Sequence, residues 1–157
     1  MKKSLYTAIL IGGLLLGGCN GGDKASPDLF QYKDSYIGDA NRLGGIASEL
    51  PGYSQYEGME LKTKEKPYEM KLYYETADGK FTDEMMMQNA TAYFVLVPNA
   101  DLVTIVVDGK ENTAKRAVME EWYGLDLRDV ESESELKQLE QDAPADSEEI
   151  ADLFERE

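Results

Sequence analysis

The sequence predicts an α+β fold of two layers: helices packed on a small, mostly antiparallel sheet of about three strands, followed by an acidic helical C-terminal tail. Three observations predict it. Residues 59–63 and 68–75 alternate apolar and polar side chains, residues 102–107 are almost wholly apolar, and residues 83–97 repeat apolar positions at helical spacing. A period of 2 marks a half-buried strand, a short apolar run a buried one, and a period of 3.6 a helix. Helices segregated to one face of an antiparallel sheet give the two-layer class.

In chain order, Asp39 is placed to cap a helix in which Leu43, Ile46, Ala47 and Leu50 share a face and which Pro51-Gly52 stops. Gly44 and Gly45 lie inside it at roughly 1 kcal/mol each, which leaves open a close approach of another backbone or simple fraying. Met59, Leu61 and Thr63 then alternate with Glu60, Lys62 and Lys64, and Tyr68, Met70, Leu72 and Tyr74 with Glu69, Lys71, Tyr73 and Glu75. Glu65-Lys66-Pro67 between them is the turn of an antiparallel hairpin. Thr82 or Asp83 caps the next helix, where Met86, Ala90, Tyr93, Phe94 and Val97 form one stripe and Met85, Ala92 and Leu96 a second. An apolar surface on more than one face predicts the most buried helix of the domain.

Leu102 to Val107, bounded by Asp101 and Asp108-Gly109, reads as a central strand. Asn112 to Tyr123 reads as a further helix with Ala114, Ala117, Val118 and Trp122 inward and Gly124 as its cap. Ser132 and Glu135 form a capping box for a helix at about 133–142. Beyond Pro144 the chain reads as a short amphipathic helix or a disordered acidic tail.

The start of the chain differs in kind. Lys2 and Lys3 precede a 12-residue apolar segment, Leu5 to Leu16, and the only cysteine follows Gly17-Gly18. That is the shape of a signal peptide, too short for a membrane span of roughly 20 residues. Leu16-Gly17-Gly18-Cys19 resembles a bacterial lipobox, which implies a diacylglyceryl group on the Cys19 thiol and cleavage just before it. Two acyl chains hold a protein to a membrane where one gives only marginal binding. The expected organisation is a lipoprotein signal peptide at 1–18, a lipidated flexible tether at 19–28, an α+β domain at 29–128 and the acidic tail at 129–157. The tether's composition, "NGGDKASP", is flexible, and its 8 residues reach at most about 29 Å.

Composition narrows the chemistry. The chain has 31 acidic and 16 basic residues, and loss of Lys2 and Lys3 leaves 14 basic residues, a balance of −17. Nucleic acid is excluded as a partner, and anionic headgroups repel such a surface. There is no histidine, and the one cysteine belongs to the anchor. Ser-His-Asp and Cys-His nucleophiles, imidazole or thiolate zinc sites and dithiol redox chemistry are thereby excluded.

Four features of the sequence are candidates for a site, and a sequon accompanies them. The acidic run at 129–149 and Asp39-Ala40-Asn41 lack the rest of a calcium loop, so neither predicts a metal. Carboxylates are abundant enough for glycoside hydrolysis, but nothing pairs two of them across a cleft. Tyr32, Tyr36, Tyr53 and Tyr56 flank one helix and make a testable surface, since tyrosine is enriched at interfaces. Leu102, Thr104 and Val106, the second face of the central strand, lie either in an open patch that suggests a partner or beneath the C-terminal helices. Asn89-Ala90-Thr91 matches a glycosylation sequon but falls in the buried helix.

At residues 32–52, 60–75, 89–107 and 122–130, and most specifically at Tyr36-Ile37-Gly38-Asp39, the chain resembles a bacterial domain family, domain of unknown function 4825. The resemblance covers about residues 29–140. It implies an exported lipoprotein or the extracellular part of a membrane-bound regulator, chiefly of Gram-positive bacteria, and brings no catalytic or ligand residue with it. Together these readings predict a non-catalytic lipoprotein on the extracytoplasmic face of the cell membrane, held through Cys19, that binds or senses a partner protein or an envelope ligand without metal or cofactor. The alternative is a carboxylate-dependent enzyme acting on cell-wall glycans.

Overall fold

Five strands and five α-helices follow one another through residues 28–157, which the computed structural model describes except for residues 78, 144 and 145. The signal segment, Cys19 and most of the tether lie outside the described residues. The chain runs α1 (Ala40–Glu49), β1 (Tyr56–Lys62), β2 (Glu69–Tyr74), α2 (Asp83–Leu96), β3 (Leu102–Val107), β4 (Lys110–Lys115), α3 (Arg116–Tyr123), α4 (Glu133–Asp142), α5 (Ser147–Ala151) and β5 (Phe154–Arg156). The α+β class is as expected, with strand order β1-β2-β3-β4-β5. Only β2 and β3 pair in parallel, with α2 as their crossover.

The sheet has five strands rather than about three, and the two additions have definable causes. Asp108 and Gly109 both have positive φ, 50° and 81°, the backbone of a two-residue hairpin turn whose twist matches the strands it joins. Val107 therefore pairs with Lys110, and residues 110–115 form β4 antiparallel to β3. The helix expected from Asn112 begins only at Arg116. Ala114 belongs to the strand and is buried beside Val103 and Phe154. The second addition is β5, at the end of the acidic stretch, which pairs with β4 across three residues and buries Phe154. Leu136, Ile150 and Leu153 join the same core.

Side-chain parity sorts the sheet. Met70, Leu72 and Tyr74, Val103 and Ile105, Ala114 and Phe154 face the helices and are buried. α2 packs on β3 and also against α4, α5 and the turn Leu127–Asp129, so residues on every side of it are buried.

Both ends of α2 are satisfied. Thr82 Oγ1 accepts from Met85 N at 3.2 Å, with Asp83 and Glu84 in the first turn, where the helix dipole favours negative charge. The orphan carbonyls at the other end are met by cations from distant segments. Buried Arg116 donates to Phe94 O and Val97 O, both at 2.9 Å, and to Ala100 O at 2.8 Å, its guanidinium 5.0 Å from the Phe94 ring centroid. Lys33 Nζ donates to Val95 O, Arg128 O and Val130 O at 3.0, 2.8 and 2.7 Å. Burial lowers the pKa of both cations from their ordinary values.

Candidate functional site

The first turn of α2, the last two turns of α4 and the start of α5 enclose a groove with a cavity of about 550 Å³, within the range of small-molecule sites. Met87 and Ile150, both buried, form its apolar floor. Thr82, Asp83, Glu84 and Gln88 line one side, and Lys137, Glu140, Gln141 and Ser147 the other. Local capping positions these walls. Ser132 Oγ accepts from Glu135 N at 3.2 Å and sets the start of α4, while Asp146 Oδ1 accepts from Glu148 N at 2.9 Å and sets α5. The capping box closes on Glu131 rather than Ser132: Glu135 Oε2 accepts from Glu131 N at 2.9 Å.

The charges of the groove are unevenly paired. Asp83 is held by Arg156 at 2.9 Å, and Lys137 by Glu133 one turn away on α4. Glu84 and Glu140 have neither a hydrogen bond nor an ion pair within the side-chain contacts of the described residues. Glu84 is exposed, whereas Glu140 is half-buried and also lines a second cavity of about 390 Å³ with Leu50, Ala92 and Leu136. Burial disfavours its ionised form and pushes its pKa up to about 7, against the opposing pull of Lys137. Lys137 itself is shifted upward, first by its hydrogen bond with Glu133.

The features singled out from sequence are placed as follows. Asp39 caps α1, its Oδ1 accepting from Arg42 N at 3.2 Å, and no group of three acidic, histidine or cysteine side chains able to hold a metal occurs among the described residues. Asn89 is fully buried, donating to Pro51 O and Tyr74 Oη at 3.1 Å. The four tyrosines differ in exposure, with Tyr32 and Tyr56 half-buried. Tyr36 and Tyr53 are 64% and 51% exposed. Tyr32 lies under the Arg42 guanidinium and against Gly45. Tyr56 links Tyr53 to buried Tyr74 through ring contacts of 6.0 and 5.6 Å.

The second face of β3 is neither an open patch nor helix-covered. Thr104 and Val106 are buried by their neighbours within the sheet. Thr104 Oγ1 donates to Glu69 Oε1 at 2.7 Å and sits 2.8 Å from Thr113 Oγ1, while Lys71 bridges over the strand to Glu111 at 2.8 Å. Tyr73 and Glu111 flank Val106 in register.

Sequence reasoning did not single out Glu140. No signal distinguishes it within an acidic run, because its burial is created by α1, α2 and α4 meeting. No described helix is long and apolar enough to cross a membrane. A family described as a domain of unknown function (DUF4825) matches residues 29–119. No curated protein and no solved structure matches the chain.

Proposed function

The chain belongs to the family of domain of unknown function DUF4825, and from that premise we propose that it is a non-catalytic binding or sensing module, lipid-anchored through Cys19 on the extracytoplasmic face of the cell membrane. The observation that carries the binding half is the groove of about 550 Å³ with an apolar floor and a polar rim. Pockets of this size and lining orient a ligand with few convergent polar groups. The anchor rests on the order Lys2-Lys3, apolar segment, Gly17-Gly18-Cys19. With a net charge of −15, lipid and not electrostatics holds the protein to an anionic bilayer.

A photocrosslinker at residue 141, on the groove rim, and another at residue 64, in the exposed hairpin turn, test the module in cells. The reading expects a discrete adduct or ligand-dependent protection at 141 and neither at 64. Equal labelling at both positions rejects it. Cys19→Ala is expected to move the protein out of the membrane fraction; retention there rejects the anchor.

A carboxylate-dependent enzyme acting on cell-wall glycans is the second reading, favoured by one observation. Glu140, which holds its proton to about pH 7, shares a groove with Asp83 and Glu84, as an acid and a base must in glycoside hydrolysis. Release of reducing ends from purified cell wall, abolished by Glu140→Gln, is the result it requires.

A further inference from the structure

We propose that the groove between α2 and α4–α5 takes a ligand bearing a primary ammonium on a short alkyl stem, the ammonium against Glu140 and the stem over Met87 and Ile150. This rests on the groove being the binding surface of the module proposed above and names the chemistry it selects.

Charge and hydrogen-bonding capacity give the argument. Anions are disfavoured: Asp83 and Glu84 already occupy the first turn of α2, where the helix dipole would otherwise attract one. Lys137, the one cation among the described residues lining the rim, is engaged with Glu133. Besides the Glu140 carboxylate, the rim carries the Gln88 and Gln141 amides and the Ser147 hydroxyl, each of which has an oxygen that can accept from an ammonium. An ammonium supplies three donors and a positive charge to such a set. A divalent cation needs several carboxylates converging at bonding distance, and the described residues hold no such group.

The half-buried position of Glu140 gives the contact its strength. A carboxylate with no partner bears a desolvation cost that a cation in contact relieves, and the lowered dielectric strengthens that contact. The floor adds selectivity, because Met87 and Ile150 line the cavity and leave an alkyl stem apolar neighbours rather than polar ones. Methionine adapts its shape to such a stem.

The pairing is also sensitive to pH. The charged and titratable groups around Glu140 are Lys137 and Glu133 on α4, Tyr123 on α3, Glu49 on α1, and Asp83 and Glu84 on α2. Burial raises the Tyr123 phenol to about 12, so it stays neutral across the working range. The hydrogen bond with Glu133 shifts Lys137 upward and keeps it charged, while Glu140, with its pKa of about 7, changes charge near neutrality. It is about nine-tenths ionised at pH 8 and one-tenth at pH 6, so binding of a permanent cation is expected to weaken about tenfold between the two.

The test uses the full-length chain with 13C-labelled methionine methyl groups, the Met87 signal serving as the probe. Butylammonium is expected to shift it saturably at pH 8, tenfold more weakly at pH 6, and at least tenfold more weakly in Glu140→Gln. Butanol, of the same shape without charge, is expected to leave it unmoved. Glu121→Gln, which removes an equally negative but exposed charge on α3, is expected to bind as the parent does. Unchanged signals from methionines remote from the groove establish that each variant is folded. Nα-acetyl-lysine methylamide is a second ligand: tighter binding than butylammonium assigns the amine to a partner's lysine, and weaker binding assigns it to a free amine. Equal shifts by butanol, or equal affinity in Glu140→Gln, overturn the proposal. If crosslinking from residue 141 captures a partner while butylammonium does not bind, the module stands and the amine falls.

Discussion

Replacing Glu140 by glutamine is expected to stabilise the protein above neutrality and to have little effect in acid. The magnitude follows from the carboxyl's environment. In the unfolded chain its pKa lies near 4.5, whereas in the fold burial raises it to about 7. At 1.36 kcal/mol per pKa unit the difference sets a ceiling of about 3.4 kcal/mol, and because Glu140 is half-buried, solvent screening reduces this to about 1–2 kcal/mol. The sign follows from proton binding. Between pH 4.5 and 7 the native state holds a proton that the unfolded state releases, so this residue's contribution to stability falls as pH rises through that window and is constant above it. Glutamine stays neutral, so the variant escapes the fall. Urea denaturation at pH 4.5 and pH 8 reads the difference: near zero at the first, about 1–2 kcal/mol in the variant's favour at the second. Because the chain carries a net charge of −15, removing any negative charge relieves some repulsion, and Glu121→Gln measures that general effect. A Glu140→Gln variant no more stabilised at pH 8 than Glu121→Gln refutes the assignment of a desolvated carboxylate at this position.

Three further outcomes test the packing. Arg116→Met is expected to cost about 3–5 kcal/mol in urea denaturation, because it leaves the carbonyls of Phe94, Val97 and Ala100 without their buried donor. Gly44→Ala and Gly45→Ala are expected to differ in sign. An added Cβ meets nothing within 4 Å at Gly44 but lies 2.5 Å from the Tyr32 ring at Gly45, so the first gains roughly 0.5–1 kcal/mol of helix propensity while the second raises the thermal midpoint only when combined with Tyr32→Ala. Gly52→Ala is expected to lower stability by about 2–4 kcal/mol, since its φ of +85° is left-handed and the new Cβ would stand 2.3 Å from the Phe81 ring; a midpoint shift below 2 °C contradicts this.

The helix at 40–49, the β1–β2 hairpin, α2, β3 and the cap of α4 were legible because each carries its own periodicity and its own stop or cap within a few residues. The strand β4 was not. Ala114, Ala117, Val118 and Trp122 happen to keep helical spacing across the junction between β4 and α3, and Asp108-Gly109, which bounds the apolar run of β3, is also the strongest local hairpin signal in the segment. β5 is three residues long, below the length at which alternation can be recognised, and only pairing with β4 makes it a strand. The two glycines of α1, left open by sequence, prove to be of different kinds: Gly45 accommodates Tyr32 and Gly44 faces open space. Glu140 was illegible for a stronger reason. Its sequence neighbours are those of any solvated acidic helix, and its properties arise only when Leu50, Ala92 and Leu136 are brought around it.

The two ends of α2 explain why the groove lies where it does. At the C-terminal end, Lys33 from the start of the domain and Arg116 from the β4–α3 junction both anchor on the helix carbonyls, and Lys33 also binds the carbonyls of Arg128 and Val130. Three separate segments are thereby tied to one helix end by charge-assisted hydrogen bonds, those of Arg116 buried, and such bonds are stronger than neutral ones. Among the described residues nothing comparable clamps the other end. There the first turn is capped by Thr82 and tied to β5 only through the solvent-accessible pair Asp83–Arg156, an interaction worth at most about 1 kcal/mol. The groove thus lies at the lightly held end of α2, with Met87 from that helix and Ile150 from α5 as its floor. α5, a five-residue helix too short to be stable without its packing, depends for its place on Ile150, the part of the groove floor that it contributes to the core.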